Sequence, residues 1–182
     1  MPRLLIGLIV GLVAILAGLA LWLNDYDAAD RTKPLEPTAN VNSAVIYATS
    51  FPDITGRSQS LGQWQKKLLI LNFWATWCAP CKEEMPLLAE LQAEFGSKGL
   101  QIVGIAVDSP LNVSNFQKTS PVNYPLLPDE GRAIDFSKRL GNRLGLLPYT
   151  IVVAPGGEVI FRRMGPVTKR EMSAFIAQNI AK

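Results

Sequence analysis

Leu68-Leu-Ile-Leu-Asn-Phe-Trp74 is a near-continuous apolar run, and Ala75-Thr-Trp-Cys-Ala-Pro-Cys81 follows it directly. The run has the pattern of a strand buried on both faces, which belongs in the interior of a sheet covered by helices. Residues 80–95 then take helical phase. The chain has only two cysteines, Cys78 and Cys81, and both fall at this strand-to-helix junction. In that setting a Cys-x-x-Cys spacing reads as a redox pair.

The physical chemistry of the junction supports that reading. The first cysteine lies at a helix N-terminus, where unpaired N–H groups and the helix dipole stabilise a thiolate. The second lies about one turn inside, close enough to form a disulfide with the first. Pro80 suits the first turn, where its missing N–H costs nothing. A zinc site needs further Cys or His ligands, and the chain has none. Haem attachment needs His directly after the second cysteine, and Lys82 stands there. A purely structural disulfide would close a very small loop and add little stability.

Outward from this segment, strand and helix patterns alternate. Residues 100–107 read as a second buried strand, and Ser109-Pro110 as the cap and first position of a helix to about Lys118. Residues 124–127 read as a short strand and 133–140 as a helix. Residues 149–154 and 159–164 flank Pro155-Gly156-Gly157, a turn signal that predicts an antiparallel hairpin. Thr168-Lys-Arg-Glu171 is a capping box opening a last helix. The fold class expected is α/β, with a mixed sheet flanked by helices.

Composition narrows the chemistry. The 182 residues are 48% hydrophobic, enough for a substantial core. There is no histidine, which rules out His-dependent triads and His-ligated zinc, copper or haem. A net charge of +3 gives no footprint for nucleic acid. No cofactor or metal is expected.

The N-terminus reads separately. Residues 4–23 carry no charge and no proline, the length of a helix spanning roughly the 30 Å of a bilayer core. Arg3 precedes the run, and Asp25, Asp27 and Asp30 follow it, so the N-terminus is expected to stay in the cytoplasm. A cleaved signal peptide would have a shorter apolar stretch and a small-x-small site, and no clean site ends this run. The expected organisation is an uncleaved membrane anchor over 1–23, a spacer rich in charge and proline over 24–44, and one domain over 45–182. Single-pass insertion would put that domain on the periplasmic or other extracytoplasmic side of the cytoplasmic membrane.

Asn72-Phe-Trp-Ala-Thr-Trp-Cys-Ala-Pro-Cys-Lys-Glu-Glu-Met-Pro86 resembles the active-site segment of the membrane-anchored thioredoxin-like reductases of the TlpA/ResA/CcmG (DsbE) group, within the redoxin and AhpC/TSA superfamily. The resemblance covers about residues 45–180. It implies a thioredoxin fold and thiol–disulfide exchange. It also implies a cis-proline loop facing the disulfide, to which Leu147 and Pro148 correspond. Trp77, Pro80, Leu147 and Pro148 are then the expected substrate-binding residues, with Trp74 either beside the site or in the core. The resemblance implies protein disulfides as substrates, such as apocytochrome c or metal-site assembly cysteines, and a membrane electron donor that reduces the pair again.

Asn72 departs from thioredoxin, which has a buried Asp there; the resembled group carries a Glu on the helix instead. At about 100° per residue, Cys81, Met85, Leu88 and Phe95 share a face. Glu84 lies toward that face and Glu83 nearly opposite, so Glu84 is the candidate acid/base, with a pKa raised by partial burial. Pro86 is expected to kink the helix. Two other functions compete. A thiol peroxidase would use Thr76 near Cys78. A Cu(I) chaperone would use the two thiolates, though without the His of such proteins.

Overall fold

The computed structural model describes residues 15–19 and 43–180. The chain divides into two units, Met1–Pro34 and Leu35–Lys182. In the first, residues 15–19 are helical, with Ile15, Leu16 and Leu19 exposed. The rest of the expected anchor, and the expected spacer up to residue 42, lie outside the described residues. Among the described residues no helix is long and apolar enough to cross a membrane.

The second unit opens with helix α1 (Ser43–Tyr47) and a small hairpin of β1 (Ser50–Pro52) and β2 (Ser58–Ser60). Then follow β3 (Leu68–Trp74), α2 (Ala79–Phe95), β4 (Leu100–Ala106), α3 (Pro110–Thr119), β5 (Leu126–Pro128), α4 (Arg132–Arg139), β6 (Tyr149–Val153), β7 (Val159–Met164) and α5 (Lys169–Asn179). The sheet runs β5-β4-β3-β6-β7. β3 pairs in parallel with β4 and antiparallel with β6, which makes the sheet mixed.

β3 is central because all seven of its side chains can be buried. Successive side chains point to opposite faces. Leu68, Ile70 and Trp74 enter one core with Met85, Leu88 and Leu91 of α2 and Met172 and Ile176 of α5. Leu69, Leu71 and Phe73 enter the other with Phe136 of α4, Phe51 and Leu61. Asn72 belongs to the α2-facing set by alternation, so a polar group is forced into an apolar layer. Trp74 is core, fully buried.

The expected elements are present with ends shifted by a residue or two. The short strand starts at Leu126 rather than residue 124, since Tyr124 and Pro125 precede the ladder with β4. Pro86 does not end its helix; α2 continues through it to Phe95. Pro86 is exposed there, so its ring stands at the surface rather than in the core.

Candidate active site

Two devices build the start of α2. Cys78 is the N-cap: its backbone is extended (φ −90°, ψ 103°), and its Sγ accepts from the N–H of Cys81 at 3.3 Å. A thiolate at Cys78 would receive that same N–H. One turn closes the Cys78–Cys81 disulfide, with Cα atoms 5.3 Å apart. Cys78 keeps 6% of its surface exposed and Cys81 none. The attackable sulfur is thus reached through a narrow opening, less open than a bare helix end.

The turn before the pair is clamped from β4. Asp108, buried just past that strand, accepts from the Thr76 N–H at 3.0 Å and from the Thr76 hydroxyl. It also accepts from the Ser109 N–H at 2.8 Å and the Asn112 side-chain amide at 2.7 Å. Burial pushes its carboxyl up, but these hydrogen bonds outweigh that and hold it below the usual range. Trp77, one residue beyond the clamp, is 69% exposed. Thr76 spends its hydroxyl on Asp108, away from the role a peroxidase would give it.

Glu84 is 2% exposed while Glu83 faces solvent, as helix phase predicts. Its Oε1 accepts from the Asn72 side-chain amide at 2.7 Å, and its Oε2 from the Val167 N–H at 3.0 Å. The same Asn72 nitrogen donates to Thr150 Oγ1 at 3.0 Å. Burial drives the Glu84 carboxyl up to about 7, against the opposing pull of the Val167 and Asn72 hydrogen bonds. A buried group balanced near neutrality, one turn along α2 from Cys81, can take or give a proton there.

On the other side, the Leu147–Pro148 peptide bond is cis, immediately before β6. Leu147 packs against the core cluster that contains both cysteines. Asn142, fully buried, donates to the Leu146 carbonyl at 2.8 Å and accepts from its N–H at 3.0 Å, which fixes this loop and leaves Leu144 and Leu146 exposed. Trp77 and Pro80 thus lie in the disulfide turn itself, and Leu147, next to Pro148, packs on the cluster that holds the cysteines. Asp108, Asn142, Thr150 and Val167 were not singled out from the sequence. Their roles arise from contacts between distant segments, and no local pattern announces them.

A model of the AhpC/TSA family matches residues 44–162. The chain belongs to that family. Within the AhpC/TSA family it is 31% identical over 126 residues to the thiol-disulfide oxidoreductase ResA of Bacillus cereus, covering 68% of this chain and 70% of that protein. It is 36% identical over 122 residues to ResA of Bacillus subtilis, covering 64% of each chain. A thiol:disulfide interchange protein of the thioredoxin family from Chlorobium tepidum superposes with a TM-score of 0.65 at 28% identity, over 73% of this chain and 93% of that one. This AhpC/TSA-family chain is a thiol:disulfide oxidoreductase with a thioredoxin-like fold.

Proposed function

We propose that this enzyme reduces protein disulfides outside the cytoplasm, tethered by residues 1–23 through the spacer 24–44, with residues 45–182 as the catalytic domain. The observation that carries the chemistry is Glu84, a buried carboxyl held by Asn72 and Val167 one turn along α2 from Cys81, in the helix that Cys78 caps. The Cys78 thiolate attacks a substrate disulfide, forming a mixed disulfide and releasing one substrate thiolate. Cys81 gives its proton to Glu84 and attacks Cys78 Sγ. The second substrate thiolate leaves, and the Cys78–Cys81 disulfide is formed. Two electrons have passed to the substrate, so a membrane-borne dithiol donor must return two to the pair. Trp77, Pro80, Leu147 and Pro148 form the docking surface. Apocytochrome c and metal-site assembly cysteines are the substrate types in this reading.

The uncharged run at residues 4–23 and its flanking charges support the location. Trapping tests the reading as a whole. Full-length Cys81→Ser, expressed in cells, should accumulate mixed disulfides with extracytoplasmic proteins, and Cys78→Ser should accumulate none. Mixed disulfides confined to cytoplasmic proteins would overturn the location. Absence of any from the Cys81→Ser form would overturn the order of attack.

A further inference from the structure

Among the described residues, three buried side-chain polar atoms have no hydrogen-bond partner: Asn72 Oδ1, Trp74 Nε1 and the Tyr124 hydroxyl. Two of these side chains meet over one glycine, and the third stands on the strand beside it. Asn72 and Trp74 project from the same face of β3, two residues apart. Opposite Asn72 on β4 stands Gly104, and opposite Gly104 on β5 stands Leu126. A Cβ on Gly104 would meet Trp74 Nε1 at 3.0 Å, a Tyr124 ring carbon at 3.4 Å and Leu126 Cδ2 at 2.8 Å. The indole and the phenol thus close over the same glycine, whose missing side chain leaves them room. Glu84 adjoins this group through Asn72.

A buried polar atom without a partner is costly, so a cluster of them calls for a shared one. The cluster has two donors, an indole N–H and a phenol O–H, and one amide acceptor. One water molecule answers all three. It accepts from Trp74 and Tyr124, donates to Asn72 Oδ1, and keeps its second hydrogen for Glu84 Oε1. We propose that Asn72, Trp74 and Tyr124 form a binding site for one internal water beside Glu84, and that through it Tyr124 positions the proton on Glu84.

Two further observations fit. Burial holds the Tyr124 phenol well above its ordinary range, and the charge of Glu84 adds to that, so the two groups sense each other and the phenol stays a neutral donor. Tyr124 and Leu126 also line an open cavity of about 330 Å³ with Ile54, Gln59, Gln117 and Pro125, so solvent reaches the outer side of residues that surround the site. Of the other charged groups on the elements around Glu84, Arg163 of β7 pairs with Glu171, Arg162 donates to the Leu140 carbonyl, and Lys169 of α5 pairs with Glu90, while Glu94 of α2 and Arg170 of α5 are exposed. Lys82 and Glu83 of α2 face solvent, as does Lys118 of α3. Once the pair is reduced, the Cys81 thiol joins Tyr124 as a titratable neighbour.

The proposal uses the proton-acceptor role of Glu84 for its consequence, and the test reads Glu84 directly. Oxidised full-length protein carrying ¹³C-labelled glutamate is titrated by NMR, with the Glu84 carboxyl signal assigned by its loss in Glu84→Gln. Tyr124→Phe should raise the Glu84 midpoint by about one pH unit, because the water that donates to the carboxylate loses a donor that holds it in place. Trp74→Phe should move it in the same direction, and serves alone if Tyr124→Phe does not fold. The Trp74 indole proton of the wild type should show magnetisation transfer from a long-lived water. A Glu84 midpoint unchanged or lowered in the folded variant overturns the positioning role, and an indole proton without that transfer overturns the water site. Separately, unaltered exchange kinetics in Glu84→Gln would remove the proton-transfer step while leaving the Tyr124 effect on the carboxyl standing.

Discussion

Asn72 donates its side-chain amide to Glu84 Oε1 across 2.7 Å, joining the central strand to the active-site helix. Thioredoxin buries a carboxylate at the strand position, and here a neutral amide holds a carboxylate that comes from the helix. The two positions act as one unit with one negative charge. Asn72→Asp would put two carboxylates in contact in an apolar layer, where both cannot ionise. The double-carboxylate protein should retain a proton well above pH 7 and lose stability steeply in alkali. Denaturant titrations at pH 6 and pH 9 check this; equal losses at both pH values would show that charge is not the cause.

Glu84 makes stability depend on pH with a definite sign. Its folded pKa of about 7 lies above the ordinary 4.5, so between those values the folded chain keeps a proton that the unfolded chain has released. Stability therefore falls as pH rises through that window, by about 3 kcal/mol once pH passes 7. Glu84→Gln removes the dependence, because the Gln amide has no proton to release in this range. Relative to wild type, the variant should gain stability from pH 4.5 to pH 8 and show a flattened pH profile for exchange. Glu83→Gln, on the exposed face, should do neither, and a matching effect from it would mean that the helix dipole alone is at work.

The two thiols of the reduced pair should react unequally. Cys78 caps the helix and keeps a narrow opening, whereas Cys81 has no exposed surface. Alkylation near pH 7 should modify Cys78 at least tenfold faster, an advantage of about 1.4 kcal/mol in activation free energy. Mass spectrometry of partly alkylated protein reads the ratio directly, and a ratio near one contradicts the assignment.

Asp108 is expected to matter for catalysis although it lies outside the Cys-x-x-Cys segment. It ties Thr76 to the start of α3 with four hydrogen bonds. Asp108→Ala removes four hydrogen bonds from a carboxylate to partly buried donors, at a cost of about 2–3 kcal/mol. Its folded pKa lies below the ordinary value, so this stabilisation is present above about pH 4 and lost as pH falls further. The variant should show lower stability at pH 7, slower exchange from a loosened Trp77–Cys78 turn, and convergence with wild type in acid. Undiminished wild-type stability at pH 7 would show that the clamp carries no load.

Trp77, largely exposed beside the pair, contributes little to the fold. Trp77→Ala should change stability by less than about 0.5 kcal/mol. It should raise KM for a protein disulfide several-fold while leaving the rate with a small-molecule disulfide nearly unchanged. Equal loss on both substrates would assign Trp77 to the chemistry rather than to docking.

Much of this was legible along the chain. The apolar run 68–74 dictated an inner strand, because only a position covered on both faces removes its six apolar side chains from water. The Cys-x-x-Cys spacing, the prolines and the capping patterns are local signals, and their elements appear where expected. Helix phase alone separated Glu84 from Glu83. The partners of Glu84 were not legible. Val167 lies 83 residues away and Thr150 lies 78 residues from Asn72, so no periodicity links them. The same holds for Asp108 beneath Thr76 and for Tyr124 and Trp74 over Gly104. Periodicity reports which face of an element is buried. The proton affinity of a buried carboxyl depends on which donors and apolar groups meet it across elements, and packing the helices onto the sheet determined those.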